Sequence, residues 1–180
     1  MPEAKANEDK NPMQDIYLEK VTLNIGIGSS EEKYENAKEI LRRLTNHTPT
    51  MARAKERKPE FGIKKGQIIG AYVTVRKQEA AELLKRALDA KDNTVKPSSI
   101  SGNSLNFGID EYIYFPNVKY DPKIGMFGLN VNASFARKGM RVKRRRRARS
   151  SVAKKHETIS REELIEYISK RFNTKIAEEE

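Results

Sequence analysis

A short cationic segment contains the residues of this sequence best suited to binding a charged ligand. Between residues 53 and 67 it holds two acids and six bases: Arg53, Lys55, Arg57, Lys58, Lys64 and Lys65. Pro59, Gly62 and Gly66 interrupt the segment, so it predicts a loop and not a regular helix or strand. A flexible basic loop could bind phosphate groups. However, most charged runs this short are solvated loops that bind no ligand.

A second basic run, residues 137–155, accounts for the whole net charge of +11. It contains 11 of the 36 lysines and arginines and no acid, and the other 25 bases equal the 25 acids in number. Such a block repels itself, which predicts an arm that is disordered in the free protein. A nucleic-acid arm, a localisation signal and a membrane-surface patch are the alternatives. Few apolar residues interrupt the run, and arginine outnumbers lysine, which favours phosphate. The candidate phosphate-binding residues of this arm are Arg137, Lys138, Arg141, Lys143, Arg144, Arg145, Arg146, Arg147 and Arg149.

Catalytic and metal-binding patterns are weak in comparison. Gly26 and Gly28 precede a predicted helix, but a dinucleotide-binding fingerprint would place a third glycine at position 31, which is Glu31. The two histidines, His47 and His156, have no partner at ligand spacing, and the absence of cysteine excludes thiolate sites and suits a reducing cytosol. The sequence therefore predicts neither an enzyme nor a cofactor or metal site.

Four alternating segments predict the sheet that must position the polar candidates. They cover residues 16–27, 68–77, 105–109 and 126–135, and each places apolar side chains on one face. In the first segment we assign Tyr17 and the following odd positions to the apolar face, with Glu19 as the only interruption. The opposite face carries small polar side chains, including Thr22, Asn24 and Thr74. Such a face either docks a hydrogen-bonding ligand closely or is simply solvated, and the pattern alone favours neither.

The remaining segments predict an α+β fold, an antiparallel sheet with helices packed on one face, plus a basic C-terminal extension. Helices are expected from Ser29 to about Asn46, over residues 78–90 and over residues 160–172, with capping boxes at Ser29–Glu32 and Ser160–Glu163. The predicted organisation is a disordered lead (1–13), a core (14–136) with the basic loop 53–67, an arm (137–159), and a C-terminal helix with an acidic tail (160–180). Residues 92–102 are expected to be loop and 113–122 irregular. No apolar run approaches the roughly 18 residues of a membrane span, and no export signal is apparent.

Four ordered motifs carry a family resemblance. VTLNIGIG (21–28), TPTMARAKERKPEFGIKKGQIIGAYVTVRK (48–77), SGNSLNFGIDEYIYFP (101–116) and GLNVNASF (128–135) are similar to large-subunit ribosomal protein "L five", the universal 5S-rRNA-binding family. The arginine run and the helix after it resemble the archaeal and eukaryotic branch of that family.

The resemblance implies a location in the central protuberance of the large subunit of the cytoplasmic ribosome. It implies 5S rRNA contacts from the polar sheet face at Asn24, Thr74 and His47, to which we add the neighbouring Thr22 and Tyr72. It also implies that the loop at 53–67 reaches P-site tRNA and that the arm meets large-subunit rRNA. Further implied partners are neighbouring ribosomal proteins and, through an intersubunit bridge, the small-subunit head. A free-standing RNA chaperone is the alternative, but it would need several stacking aromatics on the sheet, and Tyr72 alone is weak support.

Overall fold

The strands of the protein form one large sheet and one small one. The computed structural model describes residues 11–28, 30, 33–116 and 118–176. The strands are β1 (Ile16–Gly26), β2 (Thr50–Arg53), β3 (Ile68–Arg76), β4 (Thr94–Val95), β5 (Ile100–Ser101), β6 (Ser104–Ile109), β7 (Leu129–Arg137) and β8 (Lys175–Ile176). The helices are α1 (Lys33–Thr45), α2 (Lys77–Asp89), α3 (Arg141–Arg144), α4 (Lys154–Glu157) and α5 (Arg161–Phe172).

The large sheet has six antiparallel strands in the order β2-β3-β1-β7-β6-β5, and β4 pairs with β8 in parallel. Its apolar face is buried beneath α1 and α2, which confirms the predicted α+β class. Two local predictions are wrong. The segment 92–102 contains the two short strands β4 and β5, and β7 begins at Leu129 and not at residue 126. In the segment just before β7, Phe127 O accepts a backbone hydrogen bond from Tyr112 N (3.0 Å).

The two helices on the sheet bury the stripes that their sequences predict. In α1 the buried residues are Tyr34, Ala37, Ile40, Leu41 and Leu44, and in α2 they are Ala80, Leu83, Leu84, Ala87 and Leu88. Side chains spaced three and four residues apart lie on one face of a helix, so each stripe meets the sheet as a unit. The predicted cap at Ser29 and Glu32 lies outside the described residues.

The C-terminal helix α5 is part of the core. Leu164, Ile168 and Phe172 are buried, and the ring of Tyr167 meets Phe135 of β7 edge-on at 5.8 Å. The predicted capping box is present, because the Ser160 side chain accepts from Glu163 N and the Glu163 carboxylate accepts from Ser160 N. Burial of a leucine or isoleucine contributes about 1.5–3 kcal/mol, so α5 contributes substantially to the stability of the fold.

A β-bulge in β1 overturns one face assignment. The pairing of β1 with β7 shifts by one residue between Leu18 and Lys20, so that Leu18 lies opposite the buried Phe135. One extra residue exchanges the two faces of a strand. Ile16 and Leu18 therefore pack against the core and Tyr17 is exposed, contrary to the prediction, while the predicted positions from Val21 to Ile27 are buried.

The ends of the chain are described in part. Residues 1–10 of the predicted disordered lead and residues 177–180 of the acidic tail lie outside the described residues, and Pro12–Gln14 forms a 3-10 turn capped by the side chain of Asn11. No helix in the described part of the chain is both long enough and apolar enough to cross a membrane.

Candidate nucleic-acid interface

The outer face of the sheet, which we call the polar face, presents three cross-strand rows of mostly small polar residues. Their membership follows from the strand register. The loop-side row contains Thr50, Tyr72, Asn24, Asn130 and Gly108. The central row contains Thr74, Thr22, Asn132 and Asn106. The arm-side row contains Arg76, Lys20, Ser134 and Ser104. Successive rows are two residues apart along each strand, so the three rows span about 14 Å.

Much of the hydrogen-bonding capacity of the polar face is unused within the chain. The side chains of Asn24, Asn130 and Asn132 make no hydrogen bond among the described residues, and all three are half-buried or exposed. The internal bonds of the central row are a Thr22–Thr74 hydroxyl contact (3.2 Å) and a bond from Asn106 Nδ2 to Ser104 Oγ (3.3 Å). Short side chains of this kind leave room for a ligand surface to approach and receive hydrogen bonds.

The structure brings four of the five predicted recognition residues together on this face. Thr22 lies opposite Thr74, and Asn24 lies opposite Tyr72, whose ring is 37% exposed. Nine members of the rows were not among the predicted site residues. The asparagines among these nine are Asn106, Asn130 and Asn132, and the alternation in β6 and β7 contained their signal. Which residues share a row depends on register, which one segment read alone does not reveal.

The fifth predicted recognition residue, His47, lies at the margin of the polar face. It follows α1 in the turn before β2, and its Nε2 is 2.9 Å from a carboxylate oxygen of Glu79 on α2. The same groove is lined by Thr74 and Arg76. His47 is therefore adjacent to the central and arm-side rows, but its ring already has a partner.

The loop between β2 and β3, residues 54–67, is built from hydrogen-bonded turns. Its base is closed by bonds from Ala54 N to Gln67 O (2.8 Å) and from Gly66 N to Ala54 O (2.9 Å). Lys58 and Ile63 exchange backbone bonds around a 3-10 turn that ends at Gly62 in the left-handed conformation (φ 66°). The tip of the loop displays Phe61, which is 69% exposed and was not among the predicted site residues.

The six cations at this loop have different environments. Arg53 donates to Gly66 O (3.3 Å) and so braces the base of the loop, and Lys58 is 3.8 Å from Glu56. The other four side chains are exposed and make no polar contact with another described residue; they are Lys55, Arg57, Lys64 and Lys65. These four are the best placed to meet phosphate groups.

The basic run 137–155 contains no acid, but acids elsewhere in the chain pair with four of its cations. Arg137 is the last residue of β7 and pairs with Glu163 (2.6 Å), Lys138 pairs with Asp15 (2.8 Å), Lys143 with Glu157, and Arg144 with Glu19. The expectation that the run has no counter-charge is therefore wrong where these pairs form, because acids outside residues 137–155 approach it in the fold. The exposed remainder has no acidic partner among the described residues and comprises Arg141, Arg145, Arg146, Arg147, Arg149, Lys154 and Lys155.

The far end of the arm is tied to the core. The side chain of Asn103 donates to Glu157 O (2.6 Å) and accepts from Ile159 N (2.9 Å), and Ile159 is buried. At the near end, Lys138 N donates to Asp15 O (3.2 Å). The arm is thus a loop fixed at both ends and not a free tail.

The ion pair of Arg137 and Glu163 joins β7 to the first turn of α5. Burial acts to raise the pKa of Glu163, but the Ser160 N–H bond and the charge and hydrogen bond of Arg137 outweigh it, so the pKa is lowered. The pKa of Asp121 is also lowered, by a hydrogen bond from Lys123 N and by Arg43 of α1. Both carboxylates therefore hold structure together rather than being poised to transfer protons.

The two basic segments lie at opposite ends of the polar face. The loop leaves the sheet beside the paired Gly26 and Gly70, whereas Lys20 and Arg76 mark the end nearest Arg144 of the arm. Hydrogen-bonding groups between two cationic ends match an RNA surface, where 2′-hydroxyls and base edges lie between phosphates.

Family models match almost the whole described chain. One, described as "Ribosomal protein L5", matches residues 11–64, and a second, for the C-terminus of the same ribosomal protein family, matches residues 68–167. The boundary between the two matches falls at the end of the basic loop.

Curated relatives match the chain over nearly their full length, and three of them are each named "Large ribosomal subunit protein uL5". The protein of Sulfurisphaera tokodaii is 42% identical over 170 residues, covering 93% of this chain and 96% of that protein. The protein of Pyrobaculum aerophilum is 46% identical over 161 residues, covering 89% of each chain. The protein of Nanoarchaeum equitans is 42% identical over 168 residues, covering 93% of this chain and 99% of that protein.

Proposed function

This chain belongs to the ribosomal protein L5 family, and on that basis we propose that it binds 5S rRNA through its polar face and contacts P-site tRNA through its basic loop. Membership makes the chain a structural constituent of the large ribosomal subunit, located on the ribosome, and not an enzyme. The family resemblance seen in the sequence is thereby confirmed. The RNA contacts go further than membership alone and rest on the geometry of the surface.

The observation that carries the proposal is the polar face itself. Asn24, Asn130 and Asn132 project from adjacent strands with hydrogen-bonding groups unused among the described residues, and the sheet beneath them is backed by α1 and α2. An RNA minor groove or loop offers 2′-hydroxyls and base edges that short amide side chains can match.

The basic loop supports contact with a second RNA. Its hydrogen-bonded base holds four exposed cations and the exposed ring of Phe61 away from the sheet. A phosphate backbone would meet the cations, and an unpaired base could stack on the ring. Because the loop leaves the end of the sheet opposite the arm, it can reach a tRNA while the polar face holds 5S rRNA.

The arm supports a third contact, with large-subunit rRNA. Its exposed arginines are held near the sheet by the fixed ends of the arm, and guanidinium groups bind phosphates through two parallel hydrogen bonds. Neighbouring ribosomal proteins and a bridge to the small-subunit head complete the proposed set of partners. The free-standing chaperone is not supported, because Tyr72 is the only aromatic residue of the three rows.

The test is a filter-binding titration of the full-length protein with 5S rRNA and with a shuffled RNA of the same length, at matched salt. We expect at least about a hundredfold preference for 5S rRNA, since several base-edge or ribose contacts add to the phosphate contribution. Equal binding of the two RNAs would leave only electrostatic attraction and would refute recognition by the polar face.

Sedimentation tests the cellular assignment independently. In a sucrose gradient the protein should remain with large subunits after a high-salt wash, since hydrogen-bonded contacts survive when exposed ion pairs are screened. Release at moderate salt into the light fractions would contradict stable incorporation.

A further inference from the structure

Glu19 is an acid in the midst of the surface proposed to bind RNA. It occupies the β-bulge of β1, where the shifted register turns its side chain outward beside the arm-side row. Its carboxylate pairs with Arg76 of β3 (3.8 Å) and, through both oxygens, with Arg144 of the arm, whose Nη2 lies 3.1 Å from Oε2. A carboxylate repels phosphate, so its presence here requires a physical reason.

We propose that Glu19 is a positioning residue that holds Arg76 and Arg144 side by side as a two-arginine cleft for one RNA phosphate. The inference rests on the proposed RNA-binding function and adds a site that joins the sheet to the arm. Arg144–Glu19 is the only ion pair among the described residues that links the stretch 141–149 to the sheet.

The exposed fractions of the three side chains show whether Glu19 orients the two arginines or keeps phosphate away from them. The Glu19 side chain is only 12% exposed, whereas Arg76 and Arg144 are 58% and 56% exposed. Each guanidinium has five N–H donors, and Arg144 directs only part of them at Glu19. The carboxylate is therefore covered while both guanidinium groups remain open, so a phosphate can bind without displacing Glu19.

The charge balance of the cluster agrees with this role. Two guanidinium groups against one carboxylate leave a net positive charge, and Lys20 lies opposite Arg76 in the same row. A long arginine side chain loses rotamer entropy when it is fixed. Glu19 orients Arg144 through two hydrogen bonds and attracts Arg76 at 3.8 Å before the ligand arrives, and preorganisation of this kind raises affinity.

The decisive variant is Glu19→Gln, because simple electrostatics and positioning predict opposite results. The substitution removes one negative charge and so raises the net charge of the protein by one. Non-specific attraction alone would therefore tighten RNA binding. If Glu19 positions the arginines, binding to 5S rRNA should weaken about tenfold. The salt slope should also become shallower by about 0.7 to 0.9, the contribution of one phosphate.

Glu157→Gln is the matched control. It makes the same charge change and removes the acid that pairs with Lys143, but that pair does not touch the sheet. We expect binding equal to or slightly tighter than that of the unmodified protein. Thermal unfolding of both variants shows whether a loss of affinity is a loss of folded protein.

A protein that lacks both arginines completes the test. In a protein carrying Arg76→Gln and Arg144→Gln, the further change Glu19→Gln should have no effect on RNA affinity if Glu19 acts through these arginines. An equal loss in that background, or affinity retained or increased by Glu19→Gln alone, overturns the inference. If the unmodified protein shows no preference for 5S rRNA, the proposed function fails, while the same comparison on shuffled RNA still tests the phosphate cleft.

Discussion

Replacement of Asn24 by alanine is the most direct probe of the polar face. In the free protein the Asn24 amide makes no hydrogen bond to a described residue and points away from the core, so the free energy of unfolding should change by at most about 0.5 kcal/mol. In the complex, an RNA group left without its partner costs about 1–3 kcal/mol. Binding of 5S rRNA should therefore weaken roughly ten- to a hundredfold.

Thr74→Val extends the test to the central row with a side chain of the same shape. It should weaken binding by a similar factor, together with a small loss of stability, because the Thr22–Thr74 hydroxyl contact of 3.2 Å is also removed. Thr94→Val is the matched control. Thr94 is a strand threonine in the small sheet, its hydroxyl donates to Asp92 O (3.2 Å), and it belongs to none of the three rows.

The assay is filter binding at two salt concentrations, with a thermal melt of each protein. Neither Asn24→Ala nor Thr74→Val removes a cation, so both should leave the dependence of log affinity on log salt unchanged. If both variants bind 5S rRNA with unchanged affinity, the polar face is merely solvated and the basic segments perform the binding. A steep change in salt slope would equally refute the reasoning, because it would mean that phosphate contacts had been lost.

Three further outcomes follow from the loop, the arm and α5. Alanine at the four exposed, unpaired loop cations should weaken retention of P-site tRNA on purified ribosomes while 5S rRNA binding stays intact, and the reverse result would exchange the two assignments. The positions are Lys55, Arg57, Lys64 and Lys65. Glutamine at exposed arginines of the arm should make the salt slope of RNA binding shallower by about 3, whereas an unchanged slope would show that they meet no phosphate; the positions are Arg145, Arg146, Arg147 and Arg149. The lowered pKa of Glu163 means that its contribution to stability is present above its ordinary value of 4.5 and is lost as pH falls through the lower folded value. Glu163→Gln should therefore destabilise the protein by about 0.5 kcal/mol in urea unfolding at pH 7, because the pair with Arg137 is partly exposed and glutamine can keep the capping box. It should make no difference at acid pH, and an equal effect at both pH values would contradict the ion-pair account.

Substitutions test the arm better than truncation does. Removing everything after Phe135 would delete α5, whose Leu164, Ile168 and Phe172 are part of the core. Such a protein would lose RNA binding through loss of folding alone. Substituting exposed arginines leaves the core and the fixed ends of the arm in place.

Local patterns in the sequence were sufficient for much of this fold. The positions of α1 and α2 and the capping box at Ser160 and Glu163 were predicted from the sequence, because helix periodicity and caps depend on neighbours three or four residues away. The alternation of β1 and β3 placed Thr22, Asn24, Tyr72 and Thr74 on one face for the same reason. The family followed from motifs that are likewise local.

Contacts between distant segments decided the rest. The bulge that turns Tyr17 outward lies in β1 and is defined by its pairing with β7. The same pairing places Asn130 in a row with Asn24, and Asn132 in a row with Thr22. The arm illustrates the same limit in its charges, because Arg144 finds its counter-charge in Glu19, 125 residues earlier in the chain. Composition along the sequence determined where the positive charge lies, but only the folded chain determined which cations are held by acids and which remain exposed without one, since ion pairs depend on distance in space.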